Sequence, residues 1–243
     1  DEERIVDKIL KVIRESAEAL RKIVEDVLRV LEELMRRHKK NVEELDTIVE
    51  DLLRKVRERV DKDELERLKR EKEKDRERVR EIVDKYRKVL EELKERLERV
   101  LEDYRRKLKE VEKKVKEIRD RKDEKDEKTV VDEIRKLVEE LLTLDRKVLE
   151  DLRRLAEEAL RKDREVSELL RDLLRRIEEK LTSTRVEEEV LREARRRIRE
   201  VERHNKKVHD DARKRLRDLV EELKRLHREL EEKLRRIIEE IDR

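Results

Sequence analysis

The chain has 243 residues, 60% of them charged and 34% apolar, with no glycine, proline or cysteine. Without glycine there is no phosphate-cradling loop or nucleophile elbow, and without cysteine no disulfide framework, thiolate nucleophile or cysteine metal site. The 75 basic and 72 acidic side chains nearly cancel, to a net charge of +3, and acids are interleaved with bases, so the long basic block of a nucleic-acid groove is missing.

Leu, Ile and Val recur with helical spacing over nearly the whole length, which separates this chain from charge-rich disordered ones. The first helix is expected over about 3–60, on the stripe Ile5, Ile9, Ile13, Leu20, Ile23, Val27, Leu31, Leu34, Leu45, Ile48, Leu52 and Val56. Asp61-Lys62-Asp63 follows, and Asp63 with Glu66 has capping-box spacing for a second helix over about 64–121. Its stripe runs from Val79 through Tyr86, Leu93, Leu97, Tyr104, Leu108 and Val115 to Ile118. Lys69 to Arg78 contains no apolar residue and reads as an exposed or loosely packed arm. A charged joint from Asp120 to Lys128 offers Asp126 or Thr129 as the cap of a third helix, about 130–181, the most apolar of the set. Thr182-Ser183-Thr184 interrupts the pattern, and Thr184 with Glu187 has capping-box spacing for a fourth helix over about 185–243.

Near-equal lengths and short connections imply antiparallel neighbours. The expected fold is all-α: a long antiparallel up-down-up-down four-helix bundle, coiled-coil-like, forming one elongated domain over residues 1–243. The core stripe of the first helix migrates from Ile9, Ser16, Ile23 and Val30 to Leu31, His38, Leu45 and Leu52, as it does when helices stay straighter than a seven-residue supercoil requires.

Rare polar residues interrupt the inner face: Ser16, His38, Asn41, Thr47, Tyr86, Tyr104, Thr143, Ser167, His204, Asn205, His209 and His227. In such a bundle the first and fourth helices pair where residue numbers add to about 244, and the first and second where they add to about 124. That register sets His38 and Asn41 level with His204, Asn205 and Tyr86, with Asp163 or Ser167 at the same height. It also brings Ser16 near Tyr104, Thr143 and His227. Two polar layers are therefore expected, fixing helix order and register, because a buried donor or acceptor is costly unless it meets its partner. His204, His209 and His227 lie beside the seam, at the surface or within a network. A buried His38 makes a pH response an expectation to test.

No chemistry-bearing constellation emerges. Neither H-E-x-x-H nor any His-x-x-x-His pair occurs, and His204 and His209, five apart, point in different directions. A di-iron bundle places Glu three residues before each His; here those positions hold Met35, Val201, Lys206 and Lys224. We assign no catalytic, cofactor-binding or metal-ligating residue and no cofactor. The chain is expected not to be an enzyme, with no small-molecule substrate, no specific nucleic acid and no membrane as partner. It should be soluble, and cytoplasmic when expressed recombinantly.

The strings Leu31-Glu32-Glu33-Leu34 and Val89-Leu90-Glu91-Glu92-Leu93, the caps at the joints, the Lys/Glu/Arg surface and the sparse polar layers resemble computationally designed single-chain helical bundles with buried hydrogen-bond networks. The resemblance implies a structural scaffold with no natural biochemical activity, its polar core layers specifying register and pairing. The alternative is an interaction module or homo-oligomer building block. It would bind another copy or a designed helical partner through apolar faces of the third helix, at Leu142, Leu149, Leu160, Leu170 and Leu174.

Overall fold

The computed structural model describes residues 2–56, 61–121, 127–183 and 187–242. It is an all-α, four-helix bundle of α1 (Glu2–Val56), α2 (Lys62–Asp120), α3 (Glu127–Ser183) and α4 (Glu188–Asp242). Among the described residues no backbone takes a positive φ and no peptide bond is cis, as a chain of helix-forming residues without glycine or proline requires.

Two helix starts differ from the capping boxes expected. The Leu65 amide donates to the Asp61 carbonyl at 2.9 Å, so Asp61 precedes α2. Asp63 sits inside its first turn, where a carboxylate meets the positive end of the helix dipole. Similarly, the Leu191 amide donates to the Glu187 carbonyl at 3.1 Å, which makes Glu187 the residue before α4. Thr182 does not interrupt α3; its hydroxyl donates to the Glu178 carbonyl at 2.8 Å, a back-bond that keeps threonine compatible with a helix. Thr129 also lies within α3, whereas Asp126, Thr184 and the expected end of the first helix at Val60 fall outside the described residues.

The chain divides into two compact units, and every helix contributes to each. The first comprises Asp1–Arg29, Leu93–Glu157 and Leu216–Arg243. Its core is aliphatic, built on Ile9, Leu20, Leu97, Val115, Ile134, Val138 and Leu234. Ion pairs at its surface report helix direction: Lys8 to Glu240 at 2.8 Å and Lys233 to Glu15 at 3.8 Å link α1 with α4, and Arg14 to Glu112 at 3.2 Å and Arg119 to Asp7 at 3.6 Å link α1 with α2. In each set one number rises as the other falls, so the neighbours are antiparallel.

The second unit comprises Val30–Glu92 and Glu158–Arg215, with Leu34, Leu45, Ile48, Ala159, Leu170 and Ile198 in its core. Arg215 to Glu33 at 2.6 Å, Arg197 to Asp51 at 2.8 Å and Lys55 to Glu193 at 3.3 Å join α1 to α4. Lys72 to Glu50 at 3.3 Å and Arg76 to Asp46 at 3.2 Å join α2 to α1. Exposed pairs of this kind add little stability, about 0–1 kcal/mol each; their value is as markers of register. The α1–α4 pairs in both units have numbers adding to 248, about one helical turn beyond the register expected from element lengths. The apolar-free stretch of α2 is continuous helix, and its inward positions are taken by half-buried Lys72 and Arg76 and buried Asp75.

Leu142, Leu170 and Leu174 of α3 are buried and Leu149 and Leu160 half-buried. Among the described residues Leu169 is the exposed large apolar side chain.

Candidate functional site

Asp163, on α3, is the centre of the second unit's polar layer and is 0% exposed. His38 of α1 donates from Nε2 to its Oδ1. The Tyr86 hydroxyl of α2 donates to the same oxygen at 3.0 Å. His209 of α4 donates from Nδ1 to Oδ2. One carboxylate thus receives a donor from each of the other three helices. The His38 and Tyr86 rings meet edge to face with centroids 4.7 Å apart, so the donors also pack against each other. Within the same unit the Asn41 side-chain amide donates to Asn205 Oδ1 at 3.4 Å.

Burial works against ionising Asp163, but hydrogen bonds from His209 and His38 outweigh it and hold the carboxyl well below the usual carboxylate range. The Tyr86 phenol is pushed far up, by burial first and then by the adjacent Asp163 charge.

The first unit carries a second layer of related composition. Asp145 of α3 accepts from Nδ1 of His227 on α4, and the Tyr104 hydroxyl of α2 lies near enough to help hold its charge. Tyr104 also meets the Ser16 hydroxyl of α1 at 3.5 Å. Here burial prevails, and the Asp145 carboxyl is raised above its ordinary value despite the bond from His227 and the nearby Tyr104 hydroxyl. The physical difference is one imidazole instead of two. Burial and the Asp145 charge push the Tyr104 phenol up as well.

Of the expected residues, His38, Asn41, Tyr86, Asp163 and Asn205 do lie in one layer. Ser167, the alternative to Asp163, is half-buried. His204 is exposed, and His209 takes its place. The one-turn offset of the α1–α4 register explains the exchange, since it carries His38 past His204 toward His209. Ser16, Tyr104 and His227 assemble as expected, but Thr143 does not join them. It is exposed and its hydroxyl donates to the Glu139 carbonyl at 2.9 Å. Thr47 behaves likewise, donating to the Glu43 carbonyl at 3.0 Å.

Sequence reasoning missed Asp145, one of many acids, although two signals marked it. It takes an inward position on the α3 stripe, four residues after Leu141 and three before Val148, and it precedes Asp163 by the same eighteen residues that separate Tyr86 from Tyr104 and His209 from His227.

Both layers consist of carboxylates whose partners come from other helices. Sliding one helix by a turn would strip a buried carboxylate of a donor, and breaking such a pair costs about 3–5 kcal/mol. The networks therefore specify packing and register in the bundle core. Among the described residues no group of three or more His, Asp or Glu is placed to hold a metal ion, and no helix is long and apolar enough to cross a membrane. No family model matches the chain, and no significant match was found among curated proteins or solved structures.

Proposed function

We propose that the chain is a designed structural scaffold without a natural biochemical activity, whose role is to hold four helices in one order and one register. The observation that carries this reading is Asp163, enclosed and met by His38, Tyr86 and His209 from three different helices. Such a centre rewards one arrangement and penalises mispaired ones, which is the use to which designed bundles put buried polar groups. Both tyrosines are occupied in these layers, and the acids outside them lie mostly at the surface. Enzymatic activity and specific nucleic-acid partners are not part of the proposal.

The competing reading, a module that pairs with a second copy or a partner helix, draws on Leu169, which is 47% exposed. The apolar positions of α3 on which that reading first rested are largely occupied within the bundle. Light scattering on a sizing column across a dilution series separates the two. A mass of one 30.2 kDa chain at every concentration is expected of a self-contained scaffold; an integral multiple would transfer the assignment to the interaction module.

A further inference from the structure

We propose that the second unit contains a binding site for a small neutral apolar molecule of single-ring size. The site is a cavity of about 230 Å³ between α1, α2 and α3. Val42, Leu45 and Val49 of α1, Leu173 and Ile177 of α3 and Val79 of α2 form its apolar wall. Its origin lies in the sequence of α2. From Lys69 to Arg78 that helix has no apolar residue, yet it is continuous, and the side chains it brings to the cavity there are Lys72, Asp75 and Arg76. The α1 and α3 faces therefore present branched aliphatic side chains to a neighbour that has none to return, and the space between them is left unfilled. A void lined by aliphatic side chains suits an aromatic ring; about 150 Å³ is enough for benzene.

The wall also selects against charge. Glu43, Asp46 and Asp75 are matched by Lys72, Arg76 and Arg80, three acids against three bases, so a ligand of either sign meets no net counter-charge. Two of the bases are already engaged with α1, Lys72 with Glu50 at 3.3 Å and Arg76 with Asp46 at 3.2 Å. Arg80 is exposed, where an ion pair is worth little. An ionised ligand group would have to displace one of the existing pairs or give up its hydration uncompensated. A neutral apolar body needs no polar partner, and its gain scales with the area it removes from water. Val42 and Val49 are half-buried and Glu43 is exposed, so the cavity reaches the surface and the ligand enters without unfolding. The volume lies below the roughly 300 Å³ at which drug-sized pockets begin, which limits the occupant to one ring with a short substituent.

The intact chain is titrated with toluene, benzoate and benzylammonium and followed in carbon-13 methyl correlation spectra. Toluene is expected to shift the methyl signals of Val42, Val49 and Ile177 saturably while those of Leu97 and Val115, in the first unit, stay in place. Both ionised analogues should bind at least about tenfold more weakly. Asp75→Leu sets an aliphatic side chain at the inward α2 position and should weaken toluene at least about tenfold with helix content unchanged. Val49→Phe adds bulk from the α1 side without touching a charge and should do the same, so the test does not hang on one variant. The proposal is overturned if toluene produces no saturable shift, if Leu97 and Val115 move as much as the wall, if the ionised analogues bind as tightly, or if a folded filling variant binds toluene as the parent does.

Discussion

Asp145 and Asp163 stand eighteen residues apart on α3, five turns of a 3.6-residue helix, and each lies against a tyrosine of α2 and a histidine of α4. Tyr104 and Tyr86 repeat the spacing, as do His227 and His209. Only α1 breaks the repeat, contributing Ser16 to one layer and His38 to the other. That exchange gives Asp163 two imidazole donors and Asp145 one, and their carboxyls shift in opposite directions.

The two carboxylates should differ under mutation. Asp163→Asn places an amide NH2 against an imidazole N–H and strands a donor, for an expected loss of about 3–5 kcal/mol in denaturant unfolding at neutral pH. Asp145→Asn should lose less, about 1–2 kcal/mol, because burial already disfavours the ionised form there. A larger loss at Asp145 than at Asp163 would contradict the assignment of the centre.

Their pH dependences should have opposite signs. The folded pKa of Asp163 is depressed, so its contribution is fully present above the unfolded value near 3.8 and is lost as pH falls through the lower folded value. The folded pKa of Asp145 is raised, so its contribution is fully present below about 3.8 and declines as pH rises through the folded value. Urea unfolding of the parent and the two Asn variants from acid to neutral pH measures both. The stability advantage of the parent over Asp163→Asn should grow with pH below 3.8, and that over Asp145→Asn should shrink with pH above it. Parallel curves would refute the contrast.

Tyr86→Phe removes the hydroxyl that donates to Asp163 at 3.0 Å while keeping the ring against His38. The expected cost is about 1–2 kcal/mol. Carbon-13 titration of the Asp163 carboxyl in the variant should show its pKa moved up from the parent's depressed position, since a bond to the charged form has gone. An unchanged titration would mean that Tyr86 contributes packing alone.

Leu169→Glu tests the exposed apolar side chain. Stability should change by no more than about 0.5 kcal/mol, and the solution mass should stay that of one chain. A fall in mass on substitution would place Leu169 in a self-association surface.

Helix number, order and core stripe were legible because apolar spacing carries them without tertiary information: Ile9, Leu20, Ile48 and Leu97 are inside for the reason their periodicity gives. Polar layers were legible in outline, since His, Asn and Tyr are rare in this chain. Register was legible only to about one turn. The α1–α2 pairs bracket the expected sum of 124, at 126 in the first unit and 122 in the second, whereas the α1–α4 register depends on the length of everything between those two helices. The one-turn error exchanged His204 for His209. Asp145 was hidden by abundance, because a buried acid differs from a surface acid only through its partners, and those are on other helices.

The central claim is that the Asp163 layer selects one register, and pulsed electron-spin distance measurement tests it most directly. The chain has no cysteine, so nitroxides attached after Lys39→Cys and Arg196→Cys, both exposed positions, report α1 against α4 within the second unit. The account predicts a single narrow distance distribution in the parent layer. With the layer made apolar by His38→Leu, Tyr86→Phe, Asp163→Leu and His209→Leu, a second population should appear, displaced by a helical turn of about 5.4 Å. The same single narrow distribution in the apolar variant would show that aliphatic packing alone fixes the register, contradicting the account.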